Sequence, residues 1–385
     1  MAIPFSYSWR NLTARKSSTL MTTGGIALAV MAFVVISATG QSMKRTAAVT
    51  GNPLNVVVLS RGGASAEASK VPWETLRTIQ YLPEVARGPD GEAQASIESV
   101  LVRAIQPPAA PLGDLSQGRY TTIRGVTPRV FSVQPEVKIV EGRLPSAPGE
   151  ILIGQLLPSK LKGAGIGAEL RFGRQKHVVV GIFDAGGRIF DGEIWMGLED
   201  LLSEMLLNEP SIAVLRLREG TDAVAFAKSL EDSKRFTVDA QAETDYYAEA
   251  SRASVAFVIL GNIIGLIMGL GAIFAGMNTM YAAMSRRIRE IGTLRALGFG
   301  RWVIARSFLI ESLLIASLGG IAGSLVALAF DGVGLNFFQL AFRLDVGAPS
   351  LIRGAVLASL IGLFGGLLPA RAASRLAIVE ALRHV

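Results

Sequence analysis

The sequence contains no cysteine and only two histidines in 385 residues. The first absence excludes disulfides and thiol chemistry. It leaves the compartment open, because a domain of about 200 residues can be held by core burial alone. The histidines are His177, inside an apparent strand, and His384, in the tail. They join no metal-ligand cluster, and no nucleophile elbow or Cys/His pair occurs. His177 reads as an ordinary surface or strand residue. A GxxxxGK[ST] phosphate loop is missing as well. Lys16-Ser17 is the nearest string, and it lacks the glycines whose backbone amides would wrap a phosphate. No catalytic residue, metal site or resident cofactor is therefore expected, and any ATP hydrolysis that powers this chain falls to another.

Charge is also scarce. Charged residues make up 18% of the chain, against about 25% in an ordinary soluble domain. The deficit comes from four long charge-free runs, residues 19–39, 253–284, 312–330 and 354–370. A bilayer core needs about 20 mostly apolar helical residues. The last run has only 17 residues between Arg353 and Arg371, and arginines at both ends can snorkel outward to extend it. Membrane helices are predicted at 19–40, 253–284, 302–330 and 351–371. The first run has a rival reading as a cleaved signal peptide, since basic residues precede it and small ones follow. Its apolar core of about 20 residues exceeds the usual 7–15, which favours a retained helix.

The net charge of +7 is distributed in a telling way. Residues 1–18 carry +3, 285–306 carry +5 and the tail from Arg371 carries +2, whereas 41–252 carry −2. Every strongly basic segment falls on one side of a four-helix topology, and the positive-inside rule makes that side the cytoplasm. Both termini are then inside and 41–252 outside. The basic balance is a topology signal, so nucleic acid is not an expected partner. Residues 3–17, with Phe5, Trp9 and Leu12 at helical spacing beside Arg10, Arg15 and Lys16, fit a short amphipathic segment at the inner membrane interface.

Residues 41–252 mix strand and helix signals. Runs at 54–60, 96–105, 150–154, 177–183 and 212–217 are rich in β-branched residues and bounded by turn formers. Runs at 72–80, 198–207 and 222–230 have helical periodicity, the first with Pro72 at a plausible start. Loops are expected at 61–65 and 106–113. The expected fold is thus an α-helical membrane protein with four transmembrane helices and an α+β extracytoplasmic domain inserted between the first two. Beyond Glu243 a helical pattern runs without a breaker into the second span. Residues 331–350 are expected to be a short outer loop.

Small residues recur four apart in the spans. Gly261, Gly265 and Gly269 do so in the second, Gly319 and Gly323 in the third, and Gly362 and Gly366 in the fourth. Such stripes let another backbone approach, and van der Waals packing is the main force between helices in lipid. A bundle with no repeated half argues against a standalone secondary carrier.

The segment 285–306, SRRIREIGTLRALGFGRWVIAR, is the most informative. Ile288, Ile291, Leu294 and Leu297 recur every three residues, giving a short helix one apolar face. Arg287, Arg289, Glu290 and Arg295 are left for solvent or a partner, and Gly298 and Gly300 end the helix. An apolar face of this kind can dock in a partner's groove. The same charges also suit a loop that only fixes topology, and the physics alone does not divide the two.

REIGTLRALGFG followed by FLIESLLIASLGGIAGSL resembles the C-terminal signature of the MacB/LolC/FtsX-type ABC transporter permeases. One membrane helix followed by a large outer domain is similar to the MacB-like periplasmic core of the same superfamily. The resemblance is specific over the last 130 residues and architectural over 41–252. It implies a permease subunit in a bacterial inner membrane that dimerises with a second copy or a paralogue. It implies a partner, a cytoplasmic ABC ATPase that binds the ATP and Mg, and in some branches a periplasmic adaptor or membrane fusion protein. Such permeases convert ATP-driven closure into movement of the outer domain, exporting or extracting a lipoprotein, lipid, peptide or hydrophobic toxin. The stretch Arg289, Glu290, Ile291, Gly292, Leu294, Arg295, Ala296, Leu297 and Gly298 matches the family's ATPase-coupling helix. MacB carries its ATPase domain at its own N-terminus, and this chain is closer to the split LolC/LolE or DevC arrangement. The alternative is an FtsX-like regulator of cell-wall hydrolases with no transported substrate.

Glu311 falls about nine residues into the third helix. An ionisable group there is a functional candidate by default. With Arg306 and Ser307 about a turn away, a structural pair is expected ahead of a gating or proton role.

Overall fold

A computed structural model describes residues 16–63, 65–106, 119–161, 163–337 and 340–376. Residues 3–15 of the expected amphipathic segment, the loop beyond Gln106, His384 and the tail from 377 lie outside these. The chain divides into two compact units. One comprises Met1–Gln41, Val255–Val333 and Leu344–Val385, the other Ser42–Ser254 and Gly334–Arg343.

Among the described residues four helices are long and apolar enough to cross a membrane. They are α1 (Lys16–Thr50), α5 (Glu243–Ser285), α7 (Arg301–Leu328) and α8 (Ala348–Arg375). Three run past their predicted spans, the fourth helix by three and four residues at its two ends and the first two by more. The first continues ten residues past position 40, because Lys44 and Arg45 end the apolar run without ending a helix, and Met43 and Ala47 there are buried. The second forms one unbroken helix of 43 residues. At 1.5 Å per residue that is about 65 Å, twice the roughly 30 Å hydrocarbon core.

The second unit is an α+β domain around a ten-stranded mixed sheet. Its strands are β1 (Asn55–Ser60), β2 (Ala95–Ile105), β3 (Arg119–Val126), β4 (Lys138–Gly142) and β5 (Glu150–Gly154), with β6 (Glu169–Phe172), β7 (Gln175–Asp184), β8 (Ile194–Gly197), β9 (Ile212–Arg216) and β10 (Val238–Ala242). They lie in the order β10-β1-β9-β2-β3-β8-β5-β7-β4, with β6 on β7. Among the described strand pairs β3–β8 and β5–β7 are parallel and the rest antiparallel. Helices α2 (Trp73–Ile79), α3 (Leu198–Met205) and α4 (Ala223–Asp232) accompany the sheet. Asp222 caps α4 by accepting from the N–H groups of Val224 and Ala225.

The near-continuous apolar run of β1 follows from burial on both faces. Val56 and Val58 join a core with Leu76, Ile79, Phe226 and Leu230 from α2 and α4. Val57 and Leu59 point the other way, against Val100, Val133 and Val214. Five strands were missed from sequence because they lack such runs: β3 carries Arg124 at a buried position, β4 (KIVEG), β6 (ELRF) and β10 (VDAQA) mix charged or polar residues with apolar ones, and β8 is only four residues long. The predicted loop 331–350 also needs correction. It contains a hairpin, β11 (Gly334–Phe337) with β12 (Leu340–Arg343), that belongs to the α+β domain. Phe342 is 1% exposed, in a core with Met43, Phe183, Trp195 and Tyr247.

Candidate functional site

The loop singled out from sequence contains a nine-residue helix, α6 (Ile288–Ala296). It ends where Gly298 adopts φ +95°. Phe299 N–H donates to Leu294 O at 3.1 Å and Gly298 N–H to Arg295 O at 3.1 Å, a Schellman closure that favours glycine at that position. The apolar face divides in two. Ile291 and Gly292 are buried inside the chain, Ile288 and Leu294 are half-buried, and Leu297 is 70% exposed. Ile291 and Gly292 therefore belong to the seat of this helix on its own chain. Arg289, Glu290, Ala296 and Gly298 are exposed. Trp302, in the first turn of α7, is 87% exposed and was not singled out from sequence. An exposed tryptophan at a helix start was the available signal.

Two arginines in this loop are engaged within the chain, contrary to the expectation that both face outward. Arg287 is 8% exposed and its Nη1 lies 3.2 Å from Glu311 Oε2, a buried ion pair. Glu311, 4% exposed, thus has the structural partner expected in kind, but it is Arg287, at the start of α6, and not Arg306. Sequence spacing within one helix could not reveal a partner 24 residues away. Arg295 is half-buried and donates to Ser374 O at 3.2 Å and Leu376 O at 2.8 Å, occupying carbonyls left open at the end of α8. The helix is therefore pinned at both ends, to α7 through Glu311 and to α8 through Arg295.

The glycine positions lie where helices approach one another. A Cβ at Gly261 or Gly265 would meet Ile36 or Phe33 of α1, and one at Gly269 would lie 3.2 Å from Leu357 of α8. Gly319 and Gly323 face Ile26 and the Ala27 carbonyl of α1, respectively. Gly362 faces Ala316 and Leu313, and Gly366 faces Ser312, all on α7. Ser312 Oγ also donates to Gly362 O at 2.7 Å.

Sequence reading assigned no role to the polar groups inside the α+β domain, and two clusters there stand out. Arg124, buried in β3, donates from Nε and Nη2 to Glu193 and from Nη1 to Glu98, each at 2.7 Å. Trp195 Nε1 donates to the same Glu193 at 2.9 Å. Burial pushes the Glu98 carboxyl up, against the pull of Arg124.

The second cluster lies where the chain leaves α1 and enters α5. Glu243, 0% exposed, accepts from Asn52 N–H and Asn55 Nδ2 at 2.9 Å each and from Gln134 Nε2 at 2.5 Å. Burial pushes its carboxyl up to about 7, against those three donors. A Cβ on neighbouring Gly51 would run into the Thr244 backbone, so two chain segments cross there at glycine distance. Thr50 Oγ1 accepts from Ile189 N–H at 3.2 Å. The segments at 50–55 and 243 are thereby clasped to the sheet domain. His177 lies in strand β7, the second of the two expected settings, but is buried, and its ring stacks on Phe172 at 4.0 Å between centroids. Among the described residues no group of His, Asp and Glu could hold a metal.

Comparison with known proteins gives two family matches. Residues 19–233 match the MacB-like periplasmic core domain, and 262–378 match the FtsX-like permease C-terminal domain. The macrolide export ATP-binding/permease protein MacB of Burkholderia thailandensis is 25% identical over 98% of this chain, which spans 59% of that protein. The uncharacterized ABC transporter permease YvrN of Bacillus subtilis is 25% identical over 98% of both chains. The periplasmic region of MacB from Actinobacillus actinomycetemcomitans aligns over 52% of this chain and 94% of its own, with 9% identity and a TM-score of 0.38.

Proposed function

The chain belongs to the MacB/FtsX-type family of ABC transporter permeases, and from that premise we propose that it is a coupling subunit driven by a separate ATPase. ATP and Mg bind the partner, and this chain has no enzymatic role. It pairs with a second permease copy or a paralogue in a bacterial inner membrane, with both termini in the cytoplasm. A periplasmic adaptor is a further partner of the assembly. The work is export or extraction on the far side by movement of the α+β domain.

The observation that carries this reading is the pinning of α6. A docking helix transmits force only if it is fixed to what must move. Here the Arg287–Glu311 pair and the Arg295 bonds tie it to α7 and α8, while Leu297 and Trp302 stay exposed. A loop that only fixed topology would need none of these bonds. An exposed tryptophan is the residue type of an interface anchor, and the exposed Leu297 adds apolar area. Arg289 and Glu290 would set the register on the ATPase. Force entering α6 reaches α5, whose unbroken length ends at the Glu243 clasp.

Replacing Glu290, Leu297 and Trp302 together with alanine tests the reading. The expected result is loss of ATPase co-purification and of permease-stimulated hydrolysis with the permease still folded. Unchanged assembly and hydrolysis would remove the assigned role of the loop.

A further inference from the structure

The α+β domain holds an open cavity of about 450 Å³, within the 300–1,000 Å³ of small-molecule sites. Trp73 at the start of α2 and Phe131 form aromatic walls over a floor that includes the buried Trp195 of β8, with Leu144, 49% exposed, among the lining residues. Trp195 is fixed from behind, its ring 4.6 Å from Phe183 and its Nε1 bonded to Glu193. Trp73 Nε1 donates to Asn208 O at 3.1 Å, which orients that ring too. The aromatic surfaces are thus held in place before anything enters.

The charge around this cavity has one sign. Glu199 and Asp200, in the first turn of α3, line it, and neither has an ion-pair partner among the described residues. Of the neighbouring bases, Arg129 pairs with Asp90 at 2.5 Å and Arg143 with Glu150, while Arg77 shares a separate adjoining pocket with Trp73 and Glu199 and does not line this cavity. First-turn acids also complement a helix N-terminus, but that role needs no aromatic wall opposite. Fixed aromatic faces and unpaired carboxylates both attract a desolvated cation.

We propose that this cavity binds a small amphipathic cation, with its apolar body against Trp73, Phe131 and Trp195 and its ammonium at Glu199 and Asp200. As the substrate class of a transporter this rests on the permease reading above, whereas binding itself requires no ATPase. The two therefore fail separately: the coupling-loop variants leave binding intact, and the cavity variants leave ATPase assembly intact.

The test uses the full chain in zwitterionic lipid nanodiscs with two probes of one apolar body. Dansylcadaverine carries a primary ammonium and its N-acetyl derivative is neutral. Binding is read as dansyl emission sensitised by tryptophan, with empty nanodiscs subtracted. The expected result is saturable binding of the cation at least ten-fold tighter than the acetylated probe. Glu199→Gln with Asp200→Asn should bring the cation to the affinity of the neutral probe, which itself stays unchanged and so reports an intact fold. Phe131→Ala should weaken both. Equal affinities for the two probes would assign the cavity to an uncharged or lipid occupant and overturn the proposal. Non-saturable emission, or unchanged selectivity in the double carboxylate variant, would overturn it as well.

Discussion

The α+β domain and the helical unit hold themselves together by opposite means. The domain buries charge: Arg124 sits between two glutamates, and Glu243 is enclosed by three donors. The helical unit removes side chains, so that Gly319, Gly323, Gly362 and Gly366 let α1, α7 and α8 meet backbone to backbone. The contrast has a physical origin. In water the driving force is apolar burial, which tolerates a satisfied polar network inside. In lipid no such force acts between helices, and close contact supplies the attraction. The one buried ion pair described in the helical unit, Arg287–Glu311, joins the start of α6 to α7 and anchors a functional element. One unit therefore encloses a satisfied polar network within its apolar cores, and the other relies on close backbone approach.

The largest effect that would break this comparison is expected from Arg124→Leu. It strands Glu98 and Glu193 without the one cation paired with them among the described residues, and breaking a buried pair by removing one partner costs about 3–5 kcal/mol. Denaturant unfolding followed through Trp195 fluorescence, in a background with Trp9, Trp73 and Trp302 replaced by phenylalanine, should show a loss of that size. A cost below about 1 kcal/mol would mean the cluster is not structurally significant.

Glu243→Gln comes next and sharpens the account through pH. Its carboxyl stands at about 7 in the folded chain and near 4.5 unfolded. The folded state thus holds the proton more tightly, and stability present below pH 4.5 is lost as pH rises towards 7, by roughly 3 kcal/mol in total. Gln134 Oε1 and Asn55 Oδ1 have no partners, so a flipped Gln134 can accept from glutamine at 243. Thermal unfolding between pH 5 and 8 should slope downward in the parent and flatten in Glu243→Gln. Parallel slopes would contradict the assignment.

Smaller still is Gly323→Val, whose side chain meets the Ala27 carbonyl. Overpacking of this kind costs about 1–3 kcal/mol. SDS titration with far-ultraviolet circular dichroism should show the helical unit loosened while Trp195 fluorescence holds. Leu297→Ala, on the exposed face, should alter stability by less than about 0.5 kcal/mol and act only on ATPase assembly.

Much of this contrast was legible in the sequence. Charge-free runs mark the four membrane helices, and strands such as β1, β2 and β9 declare themselves by β-branched runs. The α6 segment was legible because its apolar spacing and Gly298 are local signals. Its seating was not, since Arg287 and Arg295 find partners in α7 and beyond α8. For the same reason Arg124 and Glu243 carried no sign of burial in sequence, because their partners come from strands and loops up to 191 residues away. The hairpin at 334–343 was hidden by its place between two membrane helices.

The central claim is that α6 carries the ATPase contact on the face that Leu297 exposes. The chain has no cysteine, so single cysteines can be introduced and labelled with a benzophenone photo-cross-linker. Leu297→Cys and Trp302→Cys should each cross-link to the co-produced ABC ATPase, with yield changing on ATP binding, while Val140→Cys in the α+β domain should not. Cross-linking to the ATPase from position 140 but from neither 297 nor 302 would contradict the account.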